Sequence, residues 1–195
     1  MSTSAESTGV SQRHLPGDLA MWFFILAELS VFAILILVFA VTQALKPQMF
    51  SESRLLLNTS TGLAMTLSLL TAGLFAALAQ EQVRRSRSRH GAVFLLMALL
   101  AASVYVVLKL TEYRHLLGSG LGMEHNTFFT LYWILTGFHF LHVVLGMVIL
   151  GWLAERCRRG LYDANTRSGF ESGVLYWHMV DLIWVMLFPL VYVLS

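Results

Sequence analysis

Long apolar runs separated by short polar segments dominate this sequence and predict a membrane protein. Each of five runs is long enough to cross a bilayer as a helix, because about 20 apolar residues span the hydrocarbon core. These runs cover residues 19–45, 56–80, 92–109, 128–153 and 173–194. No internal repeat is evident. The predicted fold is an all-α integral membrane domain with five transmembrane helices.

Composition agrees with this fold. Of the 195 residues, 57% are hydrophobic and only 12% are charged, whereas a soluble domain carries about 25% charged residues. The single cysteine, Cys157, excludes an intrachain disulfide and a thiolate metal cluster. Neither a GxSxG nor an HExxH motif is present, so the sequence does not favour a hydrolase.

The first 15 residues are polar and rich in serine and threonine, which predicts a disordered tail before a single domain at 16–195. No short apolar core precedes Pro16, so we do not expect a signal peptide. Asp18 is a suitable N-cap for the first helix.

Arginine-rich segments follow the second and fourth apolar runs, at 84–89 and 156–167. Between spanning helices, such segments are typical of cytoplasmic loops, so nucleic acid is not an expected partner. Assigning both segments to the cytoplasm puts most of the 13 basic residues inside. The N-terminus is then predicted inside and the C-terminus outside.

A few ionisable side chains interrupt the apolar runs and are candidate functional residues. Glu28 lies about 15 Å into the first helix, near mid-membrane. His139 and His142 share one face of the fourth helix, and His178 and Asp181 repeat the same spacing in the fifth. All of these groups except His139 fall in one predicted layer of the membrane. A shared layer permits hydrogen bonds from a histidine to Asp181 or to Glu28.

Lys109 and Glu112, at the end of the third run, are also three residues apart and can pair along one helix face.

Three interpretations of the intramembrane polar layer are open. Buried hydrogen bonds can fix helix register, each adding about 0.6–2 kcal/mol. Carboxylates and histidines also form proton or ion paths, as in a free-standing transporter, but the outer halves of the fourth and fifth helices offer little beyond Tyr132 and Thr136. Histidines on facing helices can ligate haem in a membrane anchor, although Asp181 favours a hydrogen-bonded role for His178. The residues favour the structural interpretation.

Several ordered blocks resemble subunit III of the haem–copper (cytochrome c oxidase type) respiratory complexes. The blocks are WFFILAELSVF, NTSTGLAMTLS, KLTEYRHL, NTFFTLYWILTGFHFLHVVLG and YWHMVDLIWVMLFPLVYV. They cover all five predicted helices in family order. Besides the ionisable residues above, the positions that match the family motifs are Asn58, Thr59, Glu112, Tyr113, Thr136, Gly137, Gly146, Trp177 and Trp184.

The resemblance implies a non-catalytic subunit in a bacterial plasma membrane, without haem, copper or another cofactor of its own. Such a subunit packs against a haem–copper catalytic subunit and holds phospholipid in a cleft between two helix groups. Glu28 matches the intramembrane glutamate that faces this cleft. The matching histidine and aspartate motif residues are His139, His142, His178 and Asp181.

The sequence departs from the family pattern at two points. Phe140 replaces the second glycine of the TGFHG block, and the chain lacks the first two of the seven helices in longer members. Five-helix forms resemble quinol oxidase subunit III and the subunit III-like protein that accompanies nitric oxide reductase in denitrifying bacteria. The short chain and short loops favour the nitric oxide reductase subgroup, while the catalytic partner, a cytochrome or quinol oxidase or a nitric oxide reductase, stays open.

Overall fold

The computed structural model describes residues 19–162 and 167–194. The predicted tail at 1–15 and the predicted cap at Asp18 lie outside the described residues. The described chain is helical throughout, with short connections and no strand. Its elements are α1 (Leu19–Leu45), α2 (Pro47–Arg54), α3 (Thr59–Arg84), α4 (Ser88–Gly118), α5 (Thr127–Arg158), α6 (Arg167–Phe188) and a π-helical segment (Pro189–Val193).

Five helices are long and apolar enough to span a membrane, which confirms the predicted all-α fold with five transmembrane helices. The first helix, Leu19–Leu45, has the predicted bounds. The prediction was too short for the third spanning helix, which runs over Ser88–Gly118 instead of 92–109. Polar residues at helix ends remain helical while they face water or headgroups. Hydropathy alone therefore underestimates helix length.

The short helix α2 was not predicted, because its eight residues are mostly polar. Pro47 lies in the first helical turn, where its missing N–H removes no intrahelical hydrogen bond and its fixed φ suits the helix. The fully buried Phe50 ring of α2 lies 5.2 Å from the ring of Phe39 and 5.2 Å from that of Phe128. These contacts attach α2 to the ends of α1 and α5.

Helices α3, α4, α5 and α6 form the central bundle, and α1 packs mainly against α5 and α6 at its edge. Buried small residues on α3, among them Ala72, Gly73 and Ala76, allow the neighbouring helices to approach closely. By contrast, α1 presents large apolar side chains outward, such as Ile34 and Leu37, each 62% exposed. In a membrane this face of α1 meets lipid or another subunit.

The two arginine-rich connections lie at the same end of the bundle. Helix α3 ends at Arg84, and α4 begins at Ser88 after a tight turn. A Cβ added at Gly91 of α4 would lie 3.7 Å from the Cys157 sulfur, so the end of α5 is beside the start of α4. This arrangement agrees with the predicted topology. The assignment of that end to the cytoplasm stays a prediction.

Candidate functional site

The most enclosed polar site lies where α4, α5 and the π-helical segment meet. Lys109 is completely buried, and its Nζ lies 2.7 Å from Glu112 Oε2 one turn away on α4, as the spacing predicted. The hydroxyls of Tyr132 and Tyr192 lie 3.0 and 3.1 Å from Lys109 Nζ. We call Lys109, Glu112, Tyr132 and Tyr192 the Lys109 cluster.

The polar groups of the Lys109 cluster satisfy one another. The lysine donates to the carboxylate and to both hydroxyls, which matches its three N–H groups. Tyr132 then donates to Glu112 Oε2 at 2.8 Å, and Tyr192 lies 2.9 Å from each Glu112 oxygen. An ion pair without water is stabilising only when such additional hydrogen bonds offset desolvation. The two tyrosine hydroxyls provide them.

Aromatic rings surround the ammonium group of this cluster. The rings of Tyr113, Tyr132, Trp184 and Tyr192 have their centroids 4.9, 4.8, 5.4 and 5.7 Å from it. Away from water, a favourable cation–π contact contributes about 2 kcal/mol. Thr136 donates its hydroxyl to the Tyr132 carbonyl at 2.7 Å, so Tyr113 is the donor in its 2.9 Å bond to Thr136 Oγ1.

His139 lies beside the cluster on α5 but makes no hydrogen bond to the other predicted site residues. Its ring is fully buried, stacks on Trp184 at 5.1 Å and meets the edge of Tyr105 at 6.0 Å. Neither ring nitrogen has a hydrogen-bond partner within the described chain. Trp184 donates its indole N–H to Thr66 of α3 at 3.0 Å. The structure therefore places His139 in an aromatic core.

Glu28 and His142 form a second polar site between α1 and α5. His142 Nε2 lies 3.0 Å from Glu28 Oε2, and His142 Nδ1 lies 2.8 Å from the Phe138 carbonyl oxygen. A carbonyl only accepts, so Nδ1 carries a hydrogen. The bond to Glu28 needs one more proton, located on Nε2 or on the carboxyl group. We call Glu28 and His142, which share this proton, the Glu28 pair.

The Glu28 pair is partly open to its surroundings. The side chain of Glu28 is 21% exposed and that of His142 is 11% exposed. The rings of Phe32 and Phe138 cover the imidazole, with centroid distances of 5.1 and 4.6 Å. A molecule at the seam between α1 and α5 can therefore reach the carboxyl group but not the buried face of the imidazole.

His178 and Asp181 lie on α6 and face α3 rather than the Glu28 pair. Asp181 is 7% exposed and fills the space left by Gly73, where an added Cβ would collide with Asp181 Oδ2. The same Cβ would lie 3.6 Å from His178 Nδ1. Asp181 Oδ1 has no hydrogen-bond partner among the residues that the structure describes.

The predicted polar layer is thus divided between two interfaces. The expected bond between His142 and Glu28 is present, whereas none of the described hydrogen bonds joins Asp181 to either histidine. The physical reason is rotation about the helix axes. Equal depth in the membrane does not make two side chains face each other, and α6 directs Asp181 towards Gly73 of α3.

Two predicted motif residues secure the start of α3. Asn58 is its N-cap, and the side-chain oxygen accepts the backbone N–H of Thr61 at 3.2 Å. Thr59 donates its hydroxyl to the Tyr192 carbonyl at 3.4 Å. Asn58 therefore caps the first turn of α3, and Thr59 links that turn to the end of the π-helical segment.

The motif glycines of α5 have different surroundings. A Cβ added at Gly146 would lie 2.9 Å from the Trp177 ring, so this glycine permits close packing of α5 and α6. A Cβ added at Gly137 would have open space around it. Phe140, which replaces the expected glycine, lies with its ring 6.1 Å from that of Tyr113. The larger side chain is accommodated as an additional aromatic contact.

Arg54, at the end of α2, is a buried cation that sequence reasoning missed. Its Nε donates to the Val191 carbonyl and its Nη2 to that of Leu190, both at 3.0 Å. Nη2 also lies 3.3 Å from Gln43 Oε1. The last carbonyls of a helix lack intrahelical donors, and Pro189 marks the final turn here.

Metal or haem ligation has little geometric basis in the described part of the chain. No three His, Cys, Asp or Glu side chains come together there. Both ring nitrogens of His142 already take part in hydrogen bonds. His139 and His142 also belong to the same helix rather than to facing helices.

Comparison with known proteins gives a consistent result. A family model described as cytochrome c oxidase subunit III matches residues 16–195. The cytochrome c oxidase subunit 3 of Synechocystis sp. is 27% identical, with 100% of this chain and 88% of that protein aligned. The probable quinol oxidase subunit 3 of Staphylococcus saprophyticus is 27% identical over 98% of this chain and 97% of its own length. A heme-copper oxidase subunit I+III of Aeropyrum pernix is 28% identical over 89% of this chain and 22% of its own length. This chain belongs to the cytochrome c oxidase subunit III family.

Proposed function

We propose that this chain is a non-catalytic subunit of a haem–copper oxidase, which binds the catalytic subunit and stabilises it. The observation that carries the proposal is the family match over residues 16–195. The Aeropyrum pernix relative supports the choice of partner, because its name joins subunits I and III in one chain.

The internal geometry supports a structural role. The Lys109 cluster neutralises its own charges, and His139 is enclosed by aromatic rings. These polar groups hold helices together instead of lining a path between the two membrane surfaces. The exposed apolar face of α1 provides a surface for lipid and for another subunit.

The Glu28 pair supports the narrower part of the proposal, in which the subunit retains phospholipid in a cleft beside α1. Its carboxyl group is partly exposed at a seam whose walls are otherwise apolar and aromatic. Such a group hydrogen-bonds or pairs with a lipid headgroup while the acyl chains follow the apolar face of α1. No haem or metal of its own belongs to this function, and the location is a bacterial plasma membrane.

Isolation of the native complex in a mild detergent tests the function. We expect a haem–copper catalytic subunit to copurify in fixed stoichiometry. The chain expressed alone should show no Soret band in a dithionite-reduced spectrum. A stoichiometric Soret band from the isolated chain would support a haem-binding anchor instead. A specific ion flux in vesicles without any partner would support a free-standing transporter.

The same purification tests the association with nitric oxide reductase and with denitrification, which stays a prediction. The quinol oxidase relative from Staphylococcus saprophyticus aligns over 97% of its own length. A short chain is therefore no argument for nitric oxide reductase over an oxidase. A copurifying catalytic subunit that reduces nitric oxide would support the prediction, and one that only consumes oxygen would contradict it.

A further inference from the structure

Arg54 is a buried cation without a counter-ion in the described chain. It is 7% exposed, and its three hydrogen-bond acceptors are two backbone carbonyls and the amide of Gln43, all neutral. Glu52, the nearest acid in the sequence, is exposed and does not form an ion pair with it. Lys109, a second enclosed cation among the residues that the structure describes, has Glu112 at 2.7 Å. A buried charge normally has such a partner.

The guanidinium group of Arg54 also has hydrogen-bond donors that the described chain leaves unused. It carries five N–H groups, of which Nε uses one and Nη2 uses two. Nη1, with the remaining two, is buried and has no acceptor within the described residues. Burial lowers the pKa of Arg54, because desolvation disfavours the charged form and no carboxylate opposes it. Arginine nevertheless stays protonated in proteins, so the positive charge persists.

A cavity of about 270 Å³ adjoins this residue, between α2, the start of α3 and the π-helical segment. Its lining combines Arg54 and the hydroxyl residues Ser51 and Thr59 with apolar side chains. Leu55 and Val193, two of the apolar ones, are 84% and 50% exposed. Cationic and hydroxyl donors thus lie next to an apolar surface that opens to the outside of the protein.

The cavity lies at the level of the lipid headgroups. It follows Leu45, where the first span ends, and includes Thr59, where the second begins. Phosphate oxygens are frequent partners of arginine, because the planar guanidinium donates several charge-assisted hydrogen bonds to them. We propose that Arg54 and this cavity bind a phosphate oxyanion, either the phosphodiester of a membrane phospholipid or inorganic phosphate.

This site is separate from the Glu28 pair, which lies between α1 and α5. It also does more than cap a helix. Capping accounts for the bonds of Nε and Nη2 to the Val191 and Leu190 carbonyls, but it leaves Nη1 and the net charge unexplained. A bound oxyanion in the cavity supplies the missing counter-ion and, once the guanidinium turns towards the cavity, an acceptor for Nη1.

Titration of the purified, lipid-depleted complex, followed by native mass spectrometry and thermal unfolding, tests the site. The probes are dioleoyl phosphatidylglycerol, dioleoylglycerol with the same acyl chains, and inorganic phosphate. We expect phosphatidylglycerol to bind and to raise the unfolding midpoint, and dioleoylglycerol to do neither. The same response to inorganic phosphate alone would support the oxyanion site with a soluble ligand. An equal response to dioleoylglycerol and phosphatidylglycerol would overturn the proposal.

Arg54→Gln identifies the residue responsible. The amide retains hydrogen-bonding capacity but loses the charge, so phosphatidylglycerol should bind about tenfold more weakly, or worse. Arg114→Gln is the matched control, because Arg114 is an exposed arginine near the end of α4. It should bind phosphatidylglycerol as the wild-type complex does. Equal affinities in both variants would contradict the assignment to Arg54.

Ser51→Glu keeps the test decisive if Arg54→Gln does not fold. Ser51 is exposed and lines the cavity, so a glutamate there supplies the missing negative charge without disturbing the core. The lipid-free variant should unfold at a higher temperature than wild type and should lose its response to phosphatidylglycerol. Ser119→Glu, at another exposed serine, should change neither property. A Ser51→Glu complex that still binds phosphatidylglycerol normally would refute the site.

Discussion

The Lys109 cluster and the Glu28 pair place similar chemical groups in the same membrane domain but enclose them to different degrees. Each joins a carboxyl group to a nitrogen base, at 2.7 Å in the cluster and 3.0 Å in the pair. The charged side chains of the cluster are 0% and 8% exposed, whereas those of the pair are 11% and 21% exposed. The cluster connects α4, α5 and the end of the chain, and the pair connects only α1 and α5.

This difference separates a structural site from an accessible one. Two tyrosine hydroxyls complete the hydrogen bonding of the Lys109 cluster, and aromatic rings surround it. The cluster therefore stabilises the packing of the helices in the bundle. In the Glu28 pair, a single hydrogen bond joins the carboxyl group to the imidazole, and the carboxyl group is partly exposed. Helix α1, which carries Glu28, packs at one side of the bundle. An ionisable residue inside a membrane is by default a candidate functional residue, and of these two sites the Glu28 pair is the one that can be reached from outside the fold.

The largest expected effect comes from Lys109→Met. Removing the lysine leaves Glu112 and two phenols in an apolar environment without their cation, which typically costs about 3–5 kcal/mol. We expect a large loss of folded protein and a much lower unfolding midpoint in detergent, measured by fluorescence-detected thermal unfolding. Lys46→Met, at an exposed lysine, should have little effect.

A second substitution makes the test of the Lys109 cluster specific. Adding Glu112→Gln to Lys109→Met removes the uncompensated negative charge, so the double variant should be more stable than Lys109→Met alone. If Lys109→Met were as stable as wild type, the cluster would not hold the bundle, and the contrast with the Glu28 pair would fail.

Gly146→Ala supplies an uncharged reference for the comparison, because Gly146 also lies between packed helices. The new methyl group would lie 2.9 Å from the Trp177 ring, and such overpacking typically costs about 1–3 kcal/mol. Gly137→Ala, on the same helix but with open space, should be neutral or stabilising by up to about 1 kcal/mol. The unfolding midpoint of Gly146→Ala should therefore fall, whereas that of Gly137→Ala should stay the same or rise. Equal shifts would mean that the packing against Trp177 relaxes freely.

Features that depend on a single helix could be predicted from the sequence. Lys46 and Pro47 follow the first apolar run, and α1 ends at Leu45 as expected. The three-residue spacing of Lys109 and Glu112 predicted an ion pair that the structure contains. Local periodicity and chain-breaking residues fix these features without knowledge of the neighbouring helices.

Features that depend on the rotation of one helix against another were not predictable. Tyr192 is 83 residues from Lys109, and no periodicity relates them. The common depth of His142 and Asp181 suggested a bond, yet Asp181 faces α3. Arg54 lies in a polar segment that hydropathy assigns to a loop, so only the structure shows its burial.

Asp181→Asn extends the comparison to an acid that has no partner for Oδ1 in the described chain. The amide keeps the shape that fits against Gly73 and removes a charge that burial disfavours, so stability should change by no more than about 1 kcal/mol. Asp181→Leu should be worse, because its bulkier side chain meets the α3 backbone. A loss for Asp181→Asn as large as that for Lys109→Met would instead show that the negative charge of Asp181 itself stabilises the fold.

The smallest effect on stability is expected for Glu28→Gln, which tests the accessible site. Because His142 Nδ1 donates to Phe138, the neutral imidazole presents Nε2 as an acceptor for the glutamine amide. The contact between α1 and α5 is therefore preserved, and stability should change by less than about 1 kcal/mol. Glu52→Gln, at an exposed acid on α2, is the control.

What Glu28→Gln removes is the exchangeable proton of the pair and the ability of this side chain to carry a negative charge at the seam. If the Glu28 pair retains lipid, the initial rate of the purified complex should equal that of wild type, while lipid content and activity should decline faster over many turnovers. Both quantities can be measured in one preparation by phosphorus analysis and by substrate consumption. An intact complex whose initial rate is abolished at once would instead place Glu28 on an obligatory proton path. The accessible site would then be part of the chemistry of the complex, and the contrast with the Lys109 cluster would be between catalysis and structure.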